Sequence, residues 1–329
     1  MPPTFVKFAH ALNGSEKGAN LQEQTLLRLL EDETLAWVHL DGTDPRTGDW
    51  IAQHLDYLDP QAIEALLDVD TRPRVTVLGN GMMVILRSVN INEGENPEDM
   101  VSVRMWIDAH RIVTISRKPT RVIERIDAAM RGGEVFETAG EFMVRLVEEI
   151  TSHIADFQKE LDLKTEDLEE RVVSETSGHL GREVVDLRLQ VIAARRFVVP
   201  QRAALEAISK AQLGFIDQTT RREIEEEHLK MTRVVEDMEE LREQASVLRE
   251  ELSSHLSDRL NRNMFVLSVM SAIFLPLGFL TGLFGVNVGG MPGVGDSKAF
   301  LWLCLAMGAL FLLQMAILWR LRWIGGGRR

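Results

Sequence analysis

Asn287 is the residue with the most specific chemistry to offer. It stands in Gly285-Val286-Asn287-Val288-Gly289-Gly290-Met291-Pro292, directly after a long uncharged run. An Asn side chain presents a neutral amide oxygen, and the glycines around it leave backbone carbonyls open to approach. Repeated around an axis, such groups form a ring of hard oxygen acceptors. A ring of that kind hydrogen-bonds the water shell of a divalent ion without stripping it, a step magnesium resists. Zinc held directly would instead want His or Cys at tetrahedral spacing. Neither apolar run beside the motif contains His, Asp or Glu, and the one cysteine, Cys304, falls in the second run.

The elements that must position Asn287 are apolar and long. Met264 to Phe284 carries no charge, and Ala299 to Trp319 follows after a glycine- and proline-rich loop ending near Asp296. A helix of about twenty residues, at ~1.5 Å per residue, crosses a hydrocarbon core of ~30 Å. The expectation is a transmembrane hairpin: span one at 264–284, an external loop at 285–298, span two at 299–319, and a basic tail at 320–329. Arg259 and Arg262 precede the first span, and Arg320, Arg322, Arg328 and Arg329 follow the second. The loop offers only Asp296 and Lys298, so the positive-inside rule puts both termini in the cytoplasm. Trp302, Trp319 and Trp323 sit where aromatic belts form.

Small and polar residues recur along the first span with a period near seven. Met264, Ser271, Gly278 and Gly285 form one line; Ser268, Leu275 and Gly282 form the line beside it. Such a face serves close helix packing or, in an oligomer, the wall of a lumen. Two spans cannot enclose a pore, so a channel demands several subunits around an axis. Asn261, Met264 and Leu267 or Ser268 then form the inner neck, with Met264 and Leu275 as rings able to gate by dewetting. No ionisable side chain lies within the bilayer to relay protons. Proton coupling would have to use water wires, Asp296, or His255, Asp258 and Glu251 below.

The 329 residues carry a net charge of −13, almost all of it outside the spans, which argues against nucleic acid and for cations or plain solubility. A single cysteine rules out an intrachain disulfide framework. The N-terminus, MPPTFVKFAHAL, lacks a signal-peptide profile, so the large domain is expected in the cytoplasm. Residues 1–135 read as a mixed α/β domain. Leu35–Gly42 is a strand ending in a turn, and helices open at Asp44-Pro45 and Asp59-Pro60. A hairpin turns at Gly79-Asn80-Gly81, and a second strand pair surrounds Asp108-Ala109-His110. There is no phosphate loop and no nucleophile elbow, so no enzyme is expected; His39 and His110 read as packed or turn histidines.

Residues 136–216 read as two helices, Glu141–Val173 and Glu183 to about Lys210, broken at Ser177-Gly178, with Pro200 as a kink or pause. A third helix starts near Asp217; unbroken to Phe284 it runs about 67 residues, roughly 100 Å. Its stalk portion, 217–263, carries a heptad seam of Met231, Val234, Met238, Leu241, Ala245, Leu248 and Leu252, continued by Leu256 and Leu260. The acidic residues between them form a solvated face or bind a regulatory divalent ion between subunits. Structural zinc at His228 or His255 lacks an i, i+4 partner.

With the motif between two spans at the end of such a stalk, the chain resembles the CorA-type divalent metal transporters. These carry Gly-Met-Asn at the outer end of the first of two C-terminal spans, then a loop with Met-Pro. Phe274-Leu275-Pro276-Leu277 and Thr281-Gly282-Leu283-Phe284 are similar to that family as well, and the layout matches over the whole chain. Valine replaces the usual methionine at Val286, and Val288-Gly289-Gly290 replaces a loop segment that usually carries an acidic residue. This form resembles the ZntB branch, described as zinc transporters. The resemblance implies a homopentamer in the cytoplasmic (inner) membrane, no cofactor beyond the transported ion, and inward zinc movement coupled to protons. It leaves a CorA-type magnesium, cobalt or nickel channel as the alternative, and a membrane-anchored sensor or scaffold as a reading of another class.

Overall fold

The protein is seen here as a computed structural model that describes residues 4–13, 21, 25, 28, 34–55, 57–69, 71–174, 179–285, 293 and 295–320. The chain divides into two compact units, Met1–Glu251 and Leu252–Arg329. Strands of the first unit are β1 (Val6–Ala11), β2 (Ala36–Asp41), β3 (Arg74–Leu78), β4 (Gly81–Ser88), β5 (Val101–Ile107) and β6 (Arg111–Ser116). Helices, in chain order, are α1 (Arg46–His54), α2 (Pro60–Leu67), α3 (Arg121–Arg131), α4 (Ala139–Ser174), α5 (Leu180–Lys210), α6 (Gln218–Gly285) and α7 (Ala299–Arg320).

The six strands form one sheet in the order β1-β2-β6-β5-β4-β3. All neighbours run antiparallel except β2 and β6, which pair in parallel from Ala36↔Arg111 to Asp41↔Ser116. The turn expected at Gly79-Asn80-Gly81 is present, with Gly79 at φ +59, a left-handed conformation that glycine reaches without steric cost. The pair around Asp108–His110 is likewise β5 and β6, closed by Asp108 Oδ1 accepting from His110 N at 2.9 Å. The sequence pattern missed β1 and the parallel joint. Both depend on strands meeting residues 25 to 75 positions away, which no local period encodes.

One sheet face packs on α1 and α2 through Ala36, Val38, Leu40, Ile85, Trp106, Val113 and Ile115 against Trp50, Ile51, Leu55, Ala62 and Leu66. The other face carries aromatic and polar side chains. Trp37 meets Phe142 of α4 at 5.0 Å and stacks on His10 at 5.7 Å. His10 Nε2 in turn lies 2.7 Å from Asp127 Oδ1 of α3. Where β3 has ended and β4 is left with an open edge, the buried Gln201 of α5 takes its place: Arg87 N donates to Gln201 Oε1 at 2.6 Å, and Gln201 Nε2 donates to Arg87 O at 3.1 Å. The side-chain amide thus completes a backbone ladder.

Three helix starts carry side-chain caps, at Asp59, Thr138 and Asp217. Asp59 accepts from Gln61 N at 2.8 Å with Pro60 in the first turn, and Asp217 accepts from Thr220 N at 2.8 Å to open α6. Glu141 N donates to Thr138 Oγ1 at 3.1 Å, while Glu141 Oε2 accepts from Glu137 N at 2.6 Å, close to a capping box. α5 passes through Pro200 without a break in the helix. The turn read at Ser177-Gly178 lies outside the described residues. Along α6, all seven seam residues from Met231 to Leu252 are buried, whereas Leu256 and Leu260 are exposed.

Gly140 sits where α4 meets the start of α6: a Cβ there would lie 2.5 Å from both Phe215 O and Thr220 Oγ1. Alanine normally favours a helix, yet this contact involves a backbone carbonyl that cannot swing away. Gly140→Ala should therefore destabilise the protein by about 1–3 kcal/mol, read from thermal unfolding in detergent. His39 is fully enclosed, with Nδ1 2.9 Å from Thr114 Oγ1 and Nε2 3.3 Å from Ser116 Oγ. Loss of hydration on burial pushes its imidazole down from 6.5 to about 3. A depressed histidine contributes stability that is full above the unfolded value and lost as pH falls from about 6.5 toward 3, at up to ~1.4 kcal/mol per pH unit. His39→Gln should flatten that part of the pH–Tm curve.

Candidate functional site: the apolar hairpin

The second unit contains the end of α6 and all of α7, among the described residues the two helices long and apolar enough to cross a membrane. None of the apolar stretch of α6 is buried by the rest of the chain, and in α7 only Leu318 is. Soluble core helices do not leave Leu275, Phe274 and Phe279 more than 60 % exposed, as they are here at 73 %, 69 % and 66 %. The surface must therefore be covered by lipid, by other copies, or by both.

Partial burial reveals how the two spans meet. On α6 the half-buried positions past Asn263 are Val269, Ile273, Pro276, Leu277 and Leu280; on α7 they are Ala299, Leu303, Met307, Leu310, Gln314 and Met315. Apart from the adjacent pairs Pro276–Leu277 and Gln314–Met315, each set steps by three or four, so each is one helix face. One polar bond crosses between them: Gln314 Nε2 donates to Ala272 O at 3.3 Å.

The candidate lumen residues occupy the other side of α6. Asn261, Met264, Leu267, Ser268, Ser271, Leu275, Gly278, Gly282 and Gly285 are all exposed. At about 100° per residue they fall within about 60° of a single direction, and the face toward α7 is centred about 160° away. One chain does not bring them together with any other candidate; it strings them along a bare stripe. A Cβ added at Gly278, Gly282 or Gly285 would meet nothing within 4 Å. These glycines therefore do not serve the packing of the two spans in a single chain. Cys304 is exposed as well.

Val286, Asn287, Met291 and Pro292 lie outside the described residues, as does the basic tail beyond Arg320. Of the loop, Asp296 is exposed and accepts from Lys298 N at 2.9 Å, opening α7. Among the described residues no group of three or more His, Cys, Asp or Glu side chains is arranged to hold a metal ion. Gln314 is the functional candidate that the sequence pattern passed over. Its signal was available: it is the only amide side chain in the second span, opposite a first span interrupted by proline.

The family model for CorA-like Mg2+ transporter proteins matches residues 32–321, nearly the whole chain. The chain belongs to the CorA family. Members of the CorA family are membrane transporters and not enzymes. Among its relatives, the zinc transport protein ZntB of Yersinia enterocolitica is 31% identical over 290 residues, covering 88% of this chain and 87% of that protein. The divalent cation transporter CmaX of Pseudomonas aeruginosa is 31% identical over 321 residues, 96% of each. The structure of full-length CmaX superposes with a TM-score of 0.83 at 30% identity, covering 98% of this chain and 99% of CmaX. The complete CorA magnesium transporter of Methanocaldococcus jannaschii gives a TM-score of 0.81 at 17% identity over 96% of this chain and 98% of its own, a likeness of fold. The α+β first unit, the long helix and the apolar C-terminal helix are thus CorA architecture.

Proposed function

We propose that the protein carries divalent metal cations across the cytoplasmic membrane through a pore on the axis of a homo-oligomer, a pentamer. The pore is lined by the first span. The observation that carries this reading is the bare stripe from Asn261 to Gly285, which points away from α7 and has no partner within one chain. Five copies turning that stripe inward would surround a lumen of small, polar and flexible apolar side chains, with α7 on the outside facing lipid. The division of labour then follows the chain: residues 1–135 and 136–216 form the cytoplasmic assembly, 217–263 the stalk, 264–284 the pore helix, 285–298 the outer mouth and 299–319 the outer helix.

At the mouth, Gly285-Val286-Asn287 supplies a ring of amide oxygens that holds the ion through its water shell. Bare coordination inside the membrane is disfavoured because the spans contain no His, Asp or Glu. Zinc is the favoured ion: the Val286 form of the motif is ZntB-like, and ZntB proteins are among the relatives at 31% identity. A broader preference that includes magnesium, cobalt or nickel is the second reading, favoured by the equal identity to CmaX. Proton coupling, where present, runs along water in the lumen, since no side chain in the spans can relay a proton. Both termini lie in the cytoplasm by the arginine flanks.

The test is flux into liposomes containing the purified full-length protein, with zinc and magnesium compared, with and without a pH gradient. Asn287→Ala should lower flux about tenfold or more, the loss of roughly one good hydrogen bond per subunit at the ion shell. Absence of flux in the unsubstituted protein would instead favour the anchored sensor or scaffold. In Cys304→Ser protein, a water-soluble thiol reagent should modify Ser271→Cys faster than Ile273→Cys; the reverse order would place the lumen on the wrong face.

A further inference from the structure

Pro276 is the only proline in the 68 residues of α6. Having no N–H, it leaves the carbonyl four residues earlier without its helical partner, and its ring pushes that carbonyl outward. That carbonyl belongs to Ala272. It is the same oxygen that accepts from Gln314 Nε2 at 3.3 Å. The side-chain amide of the second span therefore meets the one backbone acceptor that the proline frees in the first.

The orientation of the amide follows from its partner. A carbonyl only accepts, so the nitrogen of Gln314 must face it, and Oε1 is left enclosed with no partner among the described residues. A glutamine half matched in this way is costlier at membrane depth than a Leu or Met of similar size. Its donor to Ala272 is what offsets the cost.

The segment beyond the proline is poorly able to direct itself. Pro276, Gly278, Gly282 and Gly285 fall within ten residues, and none of the three glycines meets a neighbour in its own chain. Glycine lowers helix stiffness, and a proline removes a hydrogen bond from the ladder. An external anchor beside the proline consequently sets the direction of Pro276–Gly285.

We propose that Gln314 is a positioning residue for the transport pathway. Its amide stands in for the N–H that Pro276 lacks, and so fixes the direction of Pro276–Gly285. The proposal rests on the reading of α6 as the pore helix. It makes α7 a participant in shaping the outer pore, where position in the hairpin alone would assign it only the lipid-facing side.

The test is a double-substitution cycle in the full-length protein, using Gln314→Met, which keeps length and volume without a donor, and Pro276→Ala, which restores the missing N–H. Zinc flux in liposomes and thermal unfolding in nanodiscs are both read. Gln314→Met alone should lower flux about three- to tenfold, the range of one interhelical hydrogen bond in a membrane. In the Pro276→Ala background the same substitution should change flux less than about twofold, because Ala272 O then has its helical partner. Equal losses in both backgrounds would reduce Gln314 to packing and overturn the proposal. Coupling in unfolding with no effect on flux would also overturn it, leaving a brace for the hairpin alone. If the unsubstituted protein passes no ion, the pore reading itself fails; if it does and only the cycle is additive, the pore stands and the clasp falls.

Discussion

Hydrocarbon offers no hydrogen-bonding partner, so every backbone amide and carbonyl within the two apolar spans must find one within the protein. That constraint explains why the spans are unbroken helices and why polar side chains within them are few. It also makes the one exception informative. Pro276 opens a gap in the α6 ladder, and the freed Ala272 carbonyl is met from the other span by Gln314 at 3.3 Å. Among the described residues, the hairpin is thus joined by apolar faces along its length and by a directional bond at the proline gap.

The same need to pair polar groups is met differently in the first unit, where water is near but the sheet core is dry. Trp37 Nε1 donates to Thr114 Oγ1 at 2.8 Å across the parallel β2–β6 joint, and His39 closes on the same hydroxyl. Gln201 completes the open edge of β4, much as Gln314 completes α6. In both units a glutamine amide repairs a ladder that the local backbone cannot finish. The sheet is held in register by hydrogen bonds far apart in sequence, and the apolar cluster with α1 and α2 supplies the burial that makes those bonds worthwhile.

Membership of the CorA family fixes the architecture, while the chemistry rests on particular residues. Val286 and the uncharged Val288-Gly289-Gly290 loop set this chain apart from the Gly-Met-Asn form, and the bare α6 stripe is the surface on which an oligomer would act. The stripe carries no charge, so in the proposed pore selection would come from water held by amides and carbonyls and from pore width. Electrostatic attraction of cations falls instead to the acidic remainder of the chain, which holds the net charge of −13.

Much of this was legible in the residues themselves. Two apolar runs, arginine flanks, a heptad seam and turn signals at Gly79-Asn80-Gly81 are local patterns, and a helix or hairpin is a local object. The period-seven line from Met264 to Gly285 was visible for the same reason. What the pattern left open was which side of that line faces α7, since a single helix period says nothing of its neighbour. β1, the parallel β2–β6 pair, Gln201 at β4 and Gln314 at Ala272 were hidden for one physical cause. Each joins groups separated by 25 to 114 positions, and such pairings are chosen by the free energy of the whole packed chain. The residues by themselves determined the helices, the hairpin strands and the two apolar runs; only the folded chain decided where β1 pairs and which amide would answer the carbonyl that a proline had set free.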